Sequence, residues 1–440
     1  MGVIMQAFYW DCPNDIAQPF GWWSFVKSKV SSLSAAGFTA LWLPPFNKAA
    51  EQQSMGYDPF DYYDLGDIDQ KGGVPTWFGV KEDLVALINE AHDNHIDIYA
   101  DLVINHNSGG DLEVNPVDHI SRWTLFNPGS GKFPRNWEYF HPSPYETMDG
   151  MSFGDMPDLC HRNPDVYTGL LEYGRWLMEE IGVDGFRDDF VKGYGPWMVR
   201  AIQELRGLKG EAGFNPFGVG ECWDSDRTID DWLSEVNTWN DNPISAFDFP
   251  LRWRLQALCM TYGFSLTTLT AGDTLVTDGM ADIAVTFVEN HDVARSSPIV
   301  TDKLLAYSYI LTHDGYPCVF WQDYYNYGLA GTGTLLGIDA LVAVHEQYAD
   351  GTTTILHADD NLYIMQRNGG NGKPGLIYVL NNLGDWNGTW VQTQWANRSF
   401  TVAAWWGGNN KDRPQDKQTN ADSWSDFWAP ARGYAVYVPV

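Results

Sequence analysis

The 440-residue chain has few cysteines, no long hydrophobic run, and neither internal repeats nor low-complexity tracts. Its five cysteines, Cys12, Cys160, Cys222, Cys259 and Cys318, are scattered without a CxxC pair, which disfavours a disulfide framework or a cysteine-only zinc cage. No apolar stretch reaches about 18 residues, and no charged start leads into a short apolar run. Neither a membrane span nor a signal peptide is therefore visible in this chain.

Basic residues are also scarce, because 27 Lys and Arg stand against 57 Asp and Glu and give a formal net charge of −30. A field of that sign repels phosphate backbones and anionic lipid surfaces. We therefore expect no nucleic acid and no membrane among the partners. Aromatic residues, by contrast, are abundant, with 21 Trp, 22 Tyr and 22 Phe. Their ring faces suit stacking on sugars, although large cores account for most of them.

Eight short apolar runs alternate with segments of helical periodicity, which is typical of βαβ units and a parallel sheet. The runs cover residues 3–8, 38–43, 96–104, 183–186, 217–220, 244–249, 283–288 and 317–321. Amphipathic segments lie between them, at 23–36, 81–94, 167–181 and 304–311. The pattern predicts an α/β fold, a closed (β/α)8 TIM barrel.

Two regions depart from this rhythm. After the third run, residues 107–163 are rich in Gly, Pro, Asp and aromatics, and loops this long are usually functional or form a small domain. After about residue 350, short β-rich runs separated by Asn/Gly turns predict an antiparallel module. We therefore expect a barrel at 1–106 and 164–350, an excursion domain at 107–163 and a C-terminal β-sandwich at 351–440.

The C-terminal module is rich in tryptophan, and two interpretations remain open. The rings form either the core of a small β-module, which we favour, or a surface platform that binds carbohydrate. If a platform exists, Trp405 and Trp406 are the pair expected to be exposed.

Acidic residues follow the ends of four of the predicted barrel strands, in the segments DLVINH (101–106), GFRDDF (185–190), GECW (220–223) and ENHD (289–292). The active site of a TIM barrel lies at this face. Glycoside hydrolysis needs paired carboxylates, one as nucleophile or base and one as proton donor. Arg187 should keep Asp189 ionised, while Glu221, partly desolvated, is suited to be the acid.

These four segments resemble, in order and approximate spacing, the four signature regions of the α-amylases of glycoside hydrolase family 13. GVIMQAFYWD at the start, LWLPP, SMGYDPFDYYDLG and FDFP are similar to the archaeal and related bacterial α-amylases near the plant enzymes. The resemblance covers nearly the whole chain. It implies endo-acting, retaining hydrolysis of α-1,4-glucosidic bonds in starch, glycogen and maltooligosaccharides, through a covalent glycosyl-enzyme.

The resemblance also implies roles for single residues. Asp189 matches the nucleophile, Glu221 the acid/base and Asp292 the third carboxylate, which stabilises the transition state. The matched substrate-binding residues are Tyr57, His106, Arg187, Lys192 and His291. Asp188 departs from the family pattern, which has an apolar or small residue there. Strand alternation should point Asp188 away from the site, as a satisfied polar residue behind the strand.

A structural calcium ion bridging the barrel and the excursion is implied as well. Its matched ligands are the side chains of Asn105, Asp149 and Asp158 and the backbone carbonyls of Met151 and Gly193, an oxygen-rich set of the kind calcium prefers. Some archaeal relatives carry a nearby zinc. Here His141 and Cys160 match two of its ligands, but Thr147 and Met148 replace the cysteines, so zinc is not expected.

Other functions use the same residues. An enzyme with this site could transfer the glycosyl group to another sugar or trim short maltooligosaccharides, because subsite loops decide between these outcomes. A non-catalytic glucan-binding relative and a barrel enzyme for an unrelated sugar are further alternatives. The resemblance implies a secreted protein acting on an α-glucan, and we expect a monomer.

Overall fold

A computed structural model describes residues 2–205, 216–239, 241–408 and 412–440. The strands are β1 Ile4–Gln6, β2 Ala40–Leu43, β3 Lys48–Ala49, β4 Pro59–Asp61, β5 Asp97–Leu102, β6 Asp111–Val114, β7 Ser121–Leu125, β8 Gly185–Asp188, β9 Phe217–Gly220, β10 Ser245–Phe247, β11 Ala284–Phe287, β12 Tyr316–Phe320, β13 Thr353–Ala358, β14 Leu362–Arg367, β15 Leu376–Asn381, β16 Asn387–Gln392, β17 Ser399–Trp406, β18 Lys417–Gln418, β19 Trp424–Ala429 and β20 Gly433–Pro439. The α-helices are α1 Trp22–Lys27, α2 Val30–Ala36, α3 Lys81–Asp93, α4 Pro164–Trp176, α5 Pro196–Gln203, α6 Asp226–Val236, α7 Phe249–Met260, α8 Val293–Ser296, α9 Lys303–Ile310 and α10 Ile338–Tyr348.

Eight strands form a closed parallel barrel in the order β1-β12-β11-β10-β9-β8-β5-β2. All eight lie within or overlap the predicted apolar runs, so the predicted barrel is confirmed. These strands are almost entirely buried, as expected where a parallel sheet is covered on both faces.

The chain divides into two compact units. One consists of Met1–Gln6, Ala35–Phe38 and Asp248–Val440, and contains β1, β11, β12 and the C-terminal strands. The other consists of Ala7–Ser34 and Thr39–Phe247, and contains β2, β5, β8, β9, β10 and the excursion. The predicted domain boundaries do not coincide with this division and stay predictions.

The C-terminal module is antiparallel, as predicted. A six-stranded sheet runs in the order β13-β14-β15-β20-β17-β18, and β16 pairs with β19 as a separate two-stranded ribbon. Side chains from both sheets share one apolar core, which includes Ile377, Val391, Phe427 and Trp405. Trp405 is only 6% exposed, so the expectation that Trp405 and Trp406 form the exposed pair is wrong.

Two helix predictions need correction. The segment 23–36 is two helices, α1 and α2, and the segment 167–181 begins three residues earlier and ends in a π-helical turn, Leu177–Ile181. All five cysteines are buried and carry free thiols. Among the described residues, no helix is long and apolar enough to cross a bilayer.

Candidate active site

The register of three neighbouring strands brings acidic side chains together. Asp101 of β5 lies beside Arg187 of β8, and Asp188 of β8 lies beside Gly220 of β9. The pairing continues beyond the strands, because the Asp189 amide donates to Leu102 O (3.0 Å) and the Glu221 amide to Asp188 O (2.9 Å). Asp189 and Glu221 therefore follow adjacent strands at the same level of the barrel.

The buried guanidinium group of Arg187 connects three carboxylates. Its Nη1 donates to Asp101 Oδ1 at 2.8 Å and to Asp189 Oδ1 at 2.6 Å, and its Nη2 lies 2.9 Å from Glu221 Oε1. The backbone amide of Phe190 donates to the other oxygen of Glu221, Oε2, at 3.1 Å. Both predicted catalytic carboxylates thus form ion pairs with one buried cation.

The buried charges of this cluster shift one another's pKa values. Burial raises the pKa of Asp101 to about 6, against the opposing effect of Arg187. For Arg187, burial lowers the pKa, but the surrounding carboxylates outweigh it and the pKa lies well above its usual value. Three carboxylates share one buried positive charge, so full ionisation leaves excess negative charge in a low-dielectric site.

Asp188 differs from the prediction made for it. Its side chain is buried, and its Oδ1 has no hydrogen-bond partner among the described residues. Burial raises the pKa of Asp188 to about 8. One oxygen of Asp188 is therefore unsatisfied, contrary to the expectation of a satisfied polar residue, and the raised pKa favours the protonated form at pH 7.

Tyr57 and His106 lie beside the same cluster. The Tyr57 hydroxyl donates to Asp101 Oδ2 at 2.8 Å, and the His106 ring nitrogen Nε2 donates to Tyr57 O at 2.9 Å. Burial lowers the pKa of His106, which favours a neutral imidazole. The ring of Phe153 stacks on the His106 ring, with centroids 4.9 Å apart and 11° between the planes. A half-exposed aromatic of the excursion therefore covers one face of a predicted substrate-binding residue.

Lys192 lies on the loop that follows β8. Its Nζ donates to Trp223 O at 2.7 Å and to Asp224 Oδ2 at 3.0 Å, just after Glu221. The structure thus places Lys192 against the segment that carries the predicted acid.

His291 and Asp292 follow β11 in the other unit. The two side chains are paired, with His291 Nε2 3.2 Å from Asp292 Oδ2. Gln6 of β1 donates from Nε2 to His291 Nδ1 at 2.9 Å, which specifies the tautomer that carries its proton on Nε2. The Asn290 side chain accepts from the Asp292 backbone amide at 2.9 Å and fixes the turn.

The predicted calcium ligands include buried oxygen atoms that make no hydrogen bond within the described residues. Asn105 Oδ1 and both carboxylate oxygens of Asp158 are buried without a hydrogen-bond partner among the described residues. The Asn105 amide nitrogen instead contacts His106 Nδ1 at 3.3 Å. Gly193 passes so close that a Cβ there would lie 2.0 Å from Asn105 Oδ1. Unused buried oxygens of this kind fit a hard cation.

Asp149 is the third predicted side-chain ligand, and two histidines hold it. His141 Nε2 lies 3.0 Å from Asp149 Oδ1, and His161 Nδ1 lies 3.0 Å from Oδ2. Although burial opposes ionisation, these histidines hold the pKa of Asp149 well below its usual range. Burial raises the pKa of Asp158 to about 7, with Asp149 adding to the increase. His141, Asp149 and Asp158 each offer one ligand atom within 4.8 Å of the others, and Cys160 is not part of this group.

Several residues of the site were not assigned by sequence reasoning, namely Asp101, Gln6, Phe153 and His161. Asp101 could have been predicted, because it lies in one of the four acidic segments that follow predicted barrel strands, as Asp189 and Glu221 do. The other three act through contacts with segments far away in the chain, which a single sequence does not reveal.

Comparison with known proteins gives a consistent result. A family model described as "Alpha amylase, catalytic domain" matches residues 12–325, and one described as "Alpha-amylase C-terminal" matches residues 376–438. The chain is 30% identical to an alpha-amylase of Geobacillus stearothermophilus, over 100% of this chain and 87% of that protein. It is also 30% identical to a glucan 1,4-alpha-maltohexaosidase of Bacillus sp. (strain 707), over 99% and 92%. The solved structure of the Geobacillus thermoleovorans alpha-amylase complexed with acarbose has a TM-score of 0.68 at 18% identity and covers 100% of this chain and 98% of that one, which supports the fold.

Proposed function

The chain belongs to the alpha-amylase family of glycoside hydrolases, and from that premise we propose which of its residues hydrolyse α-1,4-glucosidic bonds. The protein is an enzyme that acts on α-1,4-glucans. We assign Asp189 as the nucleophile, Glu221 as the acid/base and Asp292 as the third carboxylate. The observation that carries the proposal is the Arg187 guanidinium, which donates to Asp189 and forms an ion pair with Glu221.

Retention of anomeric configuration is the stereochemical outcome that this arrangement favours. Retaining glycosidases have carboxyl groups about 5–5.5 Å apart, and inverting ones have a wider gap that admits water. Asp189 and Glu221 both reach a single guanidinium group, which supports the shorter separation.

The reaction then proceeds in two displacements. Asp189 attacks the anomeric carbon while Glu221 protonates the departing glycosidic oxygen, which gives a covalent glycosyl-enzyme. Glu221 next removes a proton from water, and the water displaces Asp189. Arg187 donates a hydrogen bond to Asp189 and orients it for the attack. Tyr57, His106 and His291 are assigned to the sugar at the cleavage point, and Lys192 to the leaving side.

The test is proton NMR of fresh products from a maltoheptaoside blocked at its non-reducing end. We expect α-anomeric products from the parent, loss of cleavage in Glu221→Gln, and normal cleavage in Glu235→Gln, an exposed carboxylate of α6. Initial β-anomeric products would contradict retention. An enzyme that cleaves an unblocked maltoheptaoside but not the blocked one would contradict endo action. That result would favour the alternative of trimming short products from chain ends, and one relative of this chain is a maltohexaosidase.

We further propose that calcium binds at Asn105, Asp149 and Asp158, with the carbonyls of Met151 and Gly193. The orphaned oxygens of Asn105 and Asp158 support this assignment. When bound, the ion supplies positive charge that neutralises the buried carboxylates and ties the excursion to the loops after β5 and β8. Binding to the folded state adds to stability.

Chelation tests the metal proposal. Dialysis against EDTA should lower both the melting temperature and the rate, and calcium should restore them. Restoration by zinc but not by calcium would point instead to the His141, Asp149 and Asp158 group as a zinc site. An unchanged melting temperature would remove the site.

We propose an extracellular place of action, because a polymer such as starch does not enter cells. Fractionation of the source culture checks this, and activity confined to the cell interior would contradict it.

A further inference from the structure

The β16–β19 ribbon of the C-terminal module carries three exposed tryptophans on one face. Trp390, Trp424 and Trp428 are 61%, 40% and 36% exposed, whereas Val391 of β16 and Phe427 and Ala429 of β19 are buried in the apolar core. The ribbon therefore has one face in the core and one face in solvent, and the largest side chains of the outer face are aromatic.

The strand register places these three tryptophans close together on the outer face. Trp390 of β16 is opposite Asp426 of β19, and Trp424 and Trp428 are two residues to either side of Asp426 on β19. Four residues of antiparallel strand span about 14 Å, so Trp424 and Trp428 are about that far apart along β19, and Trp390 lies beside the midpoint on the neighbouring strand. The patch is long enough to contact several consecutive sugar rings.

Contacts with two neighbouring residues, Gly388 and Asp426, fix the orientation of the Trp428 side chain. Gly388 lies directly opposite Trp428, and a Cβ on Gly388 would lie 2.6 Å from Trp428 Cγ. The indole therefore lies close over the glycine backbone. Its Nε1 donates to Asp426 Oδ2 at 2.8 Å, and the same oxygen accepts from Lys417 Nζ at 2.9 Å.

Polar groups separate the rings. Asp426 with its partner Lys417 lies between Trp424 and Trp428, and the side chain of Gln392 is opposite Trp424. A protein interface has a contiguous apolar centre, which this arrangement does not offer. An anionic membrane is disfavoured by the net charge of −30. A pyranose, by contrast, has an apolar C–H face for an aromatic ring and hydroxyls for neighbouring carboxylate, amide and ammonium groups.

We propose that this outer face, formed by Trp390, Trp424 and Trp428 around Asp426, is a second binding site for an α-1,4-glucan chain. The proposal rests on the proposed function for its ligand class, since the polymer that is cleaved is also the polymer that is held. A second contact on one polymer raises the effective concentration of chain at the active site. The benefit should therefore appear on long or insoluble glucan and not on short oligosaccharides.

The first test measures binding without turnover. In a Glu221→Gln background, retention in native gels containing soluble amylopectin is compared for the parent, for the triple variant Trp390→Ala/Trp424→Ala/Trp428→Ala and for Trp239→Ala. Trp239 is 93% exposed and lies in the other unit, so it is a matched control. We expect retention to fall in the triple variant only, and Gly388→Ala, which displaces the Trp428 indole, to reduce it partly. Equal retention of parent and triple variant would overturn the proposal.

The second test compares substrates in the active enzyme. The triple variant should hydrolyse granular starch about tenfold more slowly, with kcat/KM on the blocked maltoheptaoside unchanged. If the alanines destabilise the module, tyrosines at the same three positions decide. Retention with Tyr but not with Ala supports stacking, and loss with both overturns it. If the parent fails to cleave the heptaoside while its gel retention still depends on the three tryptophans, the proposed function fails and the second site stands.

Discussion

Replacing Asp188 by Asn should make the native protein more stable at neutral pH. The Asp188 carboxyl is buried, its Oδ1 has no partner among the described residues, and burial raises its pKa from 3.8 to about 8. Between these two values the native state keeps a proton that the unfolded state has lost. Stability then falls as the pH rises, by about 1.4 kcal/mol for each pH unit. From pH 5 to pH 7 this single group should remove about 3 kcal/mol.

The assay is the melting temperature from pH 4 to pH 8.5, with saturating calcium, for the parent, Asp188→Asn and the control Asp231→Asn. Asp231 is an exposed carboxylate of α6. The Asp188→Asn curve should coincide with the parent near pH 4 and rise above it by several degrees at pH 8. Asp188→Leu, which removes every polar atom of the group, should show the same loss of slope. Parallel curves for parent and Asp188→Asn would mean that Asp188 is ionised in the native state and that burial does not control it.

Three further outcomes are expected. Burial lowers the pKa of His313 to about 3, so below about pH 6.5 the unfolded state binds a proton that the native state does not bind, and stability falls as the pH falls. In His313→Gln the melting temperature should therefore depend less on pH below 6.5, and an unchanged dependence would contradict this. Gly193→Ala places a methyl group 2.0 Å from Asn105 Oδ1. When the melting temperature is measured against calcium concentration, the concentration that gives half of the full increase should therefore be about 10-fold higher or more in this variant. The same half-maximal concentration in variant and parent would remove Gly193 from the site. Arg187→Met leaves three buried carboxylates without their cation. The free energy of unfolding, measured with denaturant, should fall by about 3–5 kcal/mol, and turnover should be abolished. A variant as stable as the parent would refute the charge argument.

The barrel was predictable because its strands are buried on both faces and read as apolar runs in the sequence. The ribbon was not predictable in the same way. β16 has the sequence NGTWVQ, with one buried hydrophobic residue, and its partner β19 begins more than thirty residues later. The adjacent tryptophans at 405 and 406 were predicted to be an exposed pair. Successive residues of a strand face opposite sides of the sheet, however, and Trp405 faces the core.

Some residues of the candidate site were likewise predictable from the sequence, and others depend on contacts that only the folded chain makes. Asp189 and Glu221 were found because their segments match a family pattern. The importance of Asp101 depends on the register that sets it beside Arg187, and the tautomer of His291 depends on Gln6, which is 285 positions away. The orphaned oxygens of Asp158 are likewise a property of the folded chain, since no sequence pattern states which hydrogen bonds remain unmade.

The five buried thiols have a consequence for recovery after heating. In the native protein none is accessible to oxidants, and burial raises the pKa of Cys259 and Cys318 to about 12, which keeps them as unreactive thiols. Unfolding exposes these thiols to solvent, where random pairing competes with refolding. Heat inactivation in air should therefore become irreversible while the same cycle under a reductant returns active enzyme, so the working lifetime of the protein is set by the rate of opening and by its redox surroundings.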